Sequence, residues 1–194
     1  MNSKIIVSLL FTLLYLCSFA QEKEKPFQSK YLTVGSGLFS AFGKEEEGLG
    51  IPLSIGYQWS NSEKPGTRYN LSLTRGSYTP ILFLGSREQY FRLSTFEGII
   101  HYDLLRYKSF SLTTSPGIFV GYSVGLLGTG ASRNSDEFLH FYFGGRLSAG
   151  LRYAPPKKRV AYELRGINVY VGRQSFTSSG ILFVVDIRLN KEKE

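Results

Sequence analysis

The chain has 194 residues, a formal net charge of +8 at pH 7, fifteen phenylalanines, thirteen tyrosines and twenty-one glycines. That length suits one domain plus a leader, and the aromatic and glycine enrichment favours strands over helices. Lysines and arginines are scattered along the chain, which argues against the concentrated basic footprint of a nucleic-acid binder.

Residues 1–20 read as a secretory signal peptide. Lys4 precedes an apolar run from Ile5 to Leu16, and Ser18 and Ala20 supply the small residues ahead of a cut between Ala20 and Gln21. The run is well short of the roughly twenty residues of a spanning helix. Cys17 raises lipidation as an alternative, but Leu16 stands where that signal wants Gly or Ala. Cleavage would leave no cysteine, and so no disulfide or thiol chemistry. Residues 21–28 form a charged, proline-containing arm expected to be flexible and periplasmic. No later run is long and apolar enough for a spanning helix, so a membrane span would have to be a closed barrel, which alone leaves no open sheet edge in lipid.

Eight strand candidates follow, at residues 30–42, 51–60, 67–79, 89–104, 109–124, 138–153, 159–171 and 179–190. The sixth is the clearest. Leu139, Phe141, Phe143, Leu147, Leu151 and Tyr153 alternate with His140, Tyr142, Gly144, Arg146, Ser148 and Arg152. A period of two held over a whole strand gives one greasy face and one polar face. The second and third strands behave alike: Ile51, Leu53, Ile55, Tyr57 and Trp59 alternate with polar residues, and Tyr69, Leu71 and Leu73 oppose Arg68, Asn70, Ser72 and Thr74. In the fourth strand the apolar parity changes, from Phe91 and Leu93 to Phe96, Ile100 and Tyr102, which predicts a bulge near Ser94. Pro116 lies in mid-strand and calls for another, and the seventh strand shifts near Gly166. Arg75 points outward, where an arginine costs about 2–4 kcal/mol at the midplane and less near the rim. A local slip or a position near the membrane surface is expected there.

Compact turns at 61–66, 105–108 and 154–158 alternate with mostly longer connections at 43–50, 80–88, 125–137 and 172–178. Short periplasmic turns and longer outer loops are the pattern of an outer-membrane barrel. Aromatics sort to strand ends. Trp59, Tyr69, Tyr102, Phe110, Tyr153 and Tyr162 would form a periplasmic girdle, and Phe42, Tyr78, Phe91, Tyr122, Phe141 and Tyr170 an outer one.

With the leader ending in Phe19-Ala20-Gln21 and eight strands, the chain resembles the small outer-membrane β-barrels of Gram-negative bacteria. These include the OmpA/OmpX type and the related barrel-domain families of Bacteroidetes. The final strand, with Ser178, Gly180, Phe183 and Val185, is similar to the assembly signal of such barrels, though it runs on past the usual aromatic end to Asn190 and a charged tail at 191–194. The resemblance implies an all-β, eight-stranded antiparallel up-and-down transmembrane barrel over residues 29–190, located in the outer membrane. It implies outer-membrane lipids, lipopolysaccharide and the barrel-assembly machinery as partners, together with an envelope protein if the chain serves an export complex as PorT-type barrels do.

Lumen-facing Arg68, Glu97, His101, Asp103, Arg146, Arg152, Glu163, Arg165, Asp186 and Arg188, with His140, would form an internal ionic network, because buried charges must pair. An eight-stranded interior is filled by side chains, so the reading is a plugged anchor whose outer loops carry adhesion or other interactions. Two alternatives stand beside it. One is a lipid-modifying acyl hydrolase using His101, Asp103 and a serine such as Ser111; the His-x-Ser pattern of such enzymes is missing from the sequence. The other is a soluble lipocalin-like binder, which needs the opposite polarity. No metal site or cofactor is called for.

Overall fold

The computed structural model describes residues 29–44, 46–60, 64, 66–79, 88–128, 136–156 and 158–190. The signal peptide with its Ala20–Gln21 cut, the arm at 21–28, the tail at 191–194, and the tips of the loops at 80–87 and 129–135 lie outside them.

Eight strands form one closed barrel in sequence order: β1 Lys30–Phe42, β2 Glu47–Ser60, β3 Thr67–Thr79, β4 Glu88–Tyr107, β5 Phe110–Gly128, β6 Asp136–Tyr153, β7 Val160–Gly172 and β8 Thr177–Arg188. Every neighbouring pair is antiparallel. β1 closes against β8 from Tyr31↔Arg188 to Phe42↔Thr177, so both ends of the barrel domain lie at one rim, called lower here. Closure satisfies the backbone of every strand and removes the sheet edges.

Alternation sets the polarity. Outward positions carry Ile51, Leu53, Ile118, Leu139 and Phe141, each more than 60% exposed, while Gln58, His101, Glu97, Glu163 and Asp186 are buried inside. That is the reverse of a soluble barrel, and it removes the lipocalin-like alternative.

Several local expectations need correction. β2 begins at Glu47, so the first upper connection shrinks to the turn 43–46, closed by the Gly43 N–H donating to the Glu46 carbonyl at 2.7 Å. β4 runs on to Tyr107 and turns through Lys108, whose φ of 53° is left-handed. No bulge occurs near Ser94: the register against β3 is unbroken from Tyr78↔Phe91 to Thr67↔Tyr102. Parity changes in the sequence because Phe91 and Leu93 point into the barrel. The β4 irregularity lies lower, between Asp103 and Leu105. Nor does Pro116 need a bulge. Its pairing with Leu147 of β6 lies within an unbroken register. On the other side the ladder to β4 lapses between Ile99↔Gly117 and Tyr102↔Thr114 and resumes in step. The shift in β7 falls as expected, between Arg165 and Asn168 against β8. Around Arg75 there is no slip: it pairs with Leu53 and Ser94 and faces outward.

Candidate functional site

The barrel interior is built in two layers, and each follows from which inward positions carry charge and which carry rings. The lower layer holds Arg68 from β3, Arg146 and Arg152 from β6, and Arg165 from β7. Against them stand Glu97 and Asp103 from β4, Glu163 from β7 and Asp186 from β8, so the guanidinium and carboxylate charges balance. Arg68 donates to Asp103 at 2.9 Å and lies 3.7 Å from Glu163 and 3.9 Å from Asp186. Arg152 meets Asp186 at 3.2 Å, Arg165 meets Glu163 at 3.1 Å, and Arg146 pairs directly with Glu97.

Neutral groups extend the network. Gln58 of β2 donates weakly to Asp186 at 3.5 Å and accepts from Arg68 at 3.4 Å. Thr113 of β5 donates to Glu163 at 3.0 Å and Thr95 to Glu97 at 2.8 Å. The Tyr170 hydroxyl reaches both oxygens of Glu97 at 3.3 Å, while the Arg146 guanidinium lies 4.8 Å from the centre of the same ring. Arg188 sits at the lower rim, its guanidinium 3.4 Å from the Tyr31 hydroxyl. Charges this deep are tolerable only when paired and hydrogen-bonded, and the register brings partners from at least six strands together to do it.

The upper layer is aromatic. Ring contacts run without a break from Tyr78 to Phe91 at 4.8 Å, on to Phe138, His140 and Tyr142, then to Phe176, Phe119, Tyr170 and Phe39. Phe176 belongs to the β7–β8 turn, where Gln174 and Ser175 both have positive φ. It folds into the mouth and stacks on Tyr142 at 4.4 Å. Glycines make the room. A Cβ on Gly125 would lie 2.4 Å from the Phe138 ring, and one on Gly50 2.6 Å from Tyr78. A small cavity remains among Phe39, Pro52, Tyr78, Leu93, Tyr170 and Leu182.

A carboxylate from a turn enters this layer. Glu46, on the β1–β2 turn, crosses the mouth to accept from Ser123 of β5 and contacts His140 Nδ1 of β6 at 3.1 Å. Ser123 and His140 are direct cross-strand partners.

Of the residues weighed for hydrolysis, His101, Asp103 and Ser111 all face inward. His101 Nδ1 lies 2.6 Å from Ser115, not Ser111, and both residues are buried. Asp103 is held by Arg68.

The girdle assignments divide. Trp59 lies 5.8 Å from Tyr57 and 5.9 Å from Tyr69, Phe110 lies 4.8 Å from Tyr153, and Tyr102 and Tyr162 are exposed on the same outer wall. At the upper end Phe42, Tyr122 and Phe141 face outward. Tyr78, Phe91 and Tyr170 do not; they are buried in the upper layer of the interior. Strand parity held the signal, since Tyr78 shares even numbering with inward Arg68 and Asn70. Sequence reading also missed Gln58, Thr95, Thr113, Ser115 and Glu46 as partners. The first four sit at inward positions, but Glu46 lies on a turn, where no periodicity marks it.

No family model and no curated protein matches the chain. Among solved structures it is similar to Neisserial surface protein A (NspA), at 14% identity and a TM-score of 0.57, over 84% of this chain and 99% of that one. It is also similar to Ail, the attachment invasion locus protein of Yersinia pestis, at 11% identity and a TM-score of 0.52, over 83% and 98%. The shared feature is the fold. This is an eight-stranded barrel of the outer-membrane type.

Proposed function

We propose that this protein is an integral outer-membrane barrel, exported by a cleaved signal peptide, that serves as a rigid anchor for its upper loops in adhesion or in contact with an envelope partner. One observation carries the reading: apolar side chains cover the outer wall while balanced charges fill the centre. An aqueous protein gains nothing from that arrangement, whereas lipid requires it. The two-layered interior favours an anchor over a wide channel. β4, β5 and β6 are the longest strands, and the hairpin that joins β5 to β6 would present residues 129–135 to the cell exterior, where loops carry recognition.

Three measurements test this. The protein should partition with outer membranes and, unboiled, run as a compact species on a denaturing gel. In planar bilayers it should give no porin-sized conductance. Replacing 129–135 with a Gly/Ser linker should abolish cell adhesion or partner capture while leaving the compact species intact. Recovery in the soluble periplasmic fraction would overturn the membrane reading. Unchanged adhesion and capture would overturn the role given to that loop.

A further inference from the structure

Arg75 of β3 and Arg92 of β4 are exposed on the outer wall. The register fixes them there: Arg75 pairs with Ser94, and Ser77 pairs with Arg92. The two arginines are therefore diagonal neighbours, about 7–8 Å apart at the backbone. Neither forms an ion pair or hydrogen bond with any described residue. Two like charges held side by side on an apolar wall repel each other and lack water on the barrel side. An anion between them removes both penalties.

Their height suits one kind of anion. Counting up β4 from Tyr102 of the lower aromatic belt, ten residues of tilted strand place Arg92 roughly 25 Å higher, the full thickness of the apolar band. Arg75, whose β4 partner Ser94 is eight residues above Tyr102, lies roughly 20 Å up on the same count, within reach of the same boundary through its long side chain. Exposed Leu53 lies beside Arg75, and exposed Ile55, Leu73 and Phe96 lie just below, where acyl chains would run. Exposed Ser77 pairs with Arg92 and adds a hydroxyl beside it, while Ser94 is buried beneath, and the planar fork of arginine matches phosphate oxygens in pairs.

We infer that Arg75 and Arg92, with Ser77, form a binding site on the outer wall of the barrel for the phosphorylated headgroup of an outer-leaflet lipid. This rests on the membrane reading above, and it explains why an arginine stands where the apolar band predicts a leucine.

The test uses the full-length protein in nonionic detergent, titrated with lipopolysaccharide bearing its phosphates and with the same lipid enzymatically dephosphorylated. Wild type should bind the phosphorylated form about thirty-fold more tightly than the R75Q/R92Q variant does. Dephosphorylation should bring wild type down to the variant's level, and R75K/R92K should recover part of the affinity. Inorganic pyrophosphate should not displace the lipid at equal concentration; displacement would make this a free-phosphate site and overturn the lipid assignment. Equal binding by wild type and R75Q/R92Q would overturn the site. Insertion into vesicles is measured on the same samples, so loss of lipid discrimination by an inserted barrel condemns the site alone. Failure to insert condemns the membrane reading with it.

Discussion

The lower half of the interior is held by charge and the upper half by rings, and the two halves answer different physical problems. Around Arg68, Glu163 and Asp186 each group is acceptable only because its partner is present. Around Phe119, Tyr142 and Phe176 the contacts are non-directional, and glycines such as Gly125 and Gly50 tune the volume. The ionic layer is therefore unforgiving of single changes but tolerant of paired ones. The aromatic layer is graded in its response to volume.

The largest effect should come from orphaning a charge. Glu97→Ala leaves Arg146 buried without its carboxylate and should cost about 3–5 kcal/mol, measured by urea unfolding in detergent micelles. The paired replacement E97L/R146L should lose much less. A double variant as damaged as the single one would show that the pair matters for more than mutual neutralisation.

Next comes the aromatic layer. Phe176→Ala removes a fully buried ring that stacks on Tyr142 and should cost about 3 kcal/mol, at the low end for a buried phenylalanine because it sits on a turn at the mouth. Overfilling should cost less. Gly125→Ala drives a methyl group into Phe138 and should lose about 1–3 kcal/mol, read as a lower midpoint in the same titration.

The smallest effect lies where the two chemistries meet. Glu46→Gln keeps one acceptor for Ser123 but loses the charge; it should cost about 1 kcal/mol and expose the 43–46 turn to added protease. If protection at that turn is unchanged, the carboxylate is not what ties it across the mouth.

Much of this was legible in the sequence. Period-two alternation located every strand, and the bounds of 30–42 and 67–79 match β1 and β3. The rule that apolar residues face lipid broke at a few positions in the lower half, such as Ile99 and Val184, and at more in the upper half. There Phe91, Leu93, Tyr78 and Tyr170 fill the interior instead. That failure produced the spurious bulge near Ser94 and the misplaced outer girdle. Which inward groups touch was not legible, because cross-strand register decides it. Gln58 and Asp186 are 128 residues apart, and no local pattern links them. Glu46 was hidden because a turn has no period to mark which of its residues will fold inward.

The chain has one tryptophan, Trp59, which sits on the outer wall beside Tyr57 and Tyr69 and makes the account testable without mutation. With the protein refolded into vesicles, Trp59 emission should be quenched strongly by lipids brominated near the headgroup, less by lipids brominated near the chain ends, and little by aqueous iodide. Strong iodide quenching with no response to brominated lipid would place that wall in water and contradict a barrel turned toward the membrane.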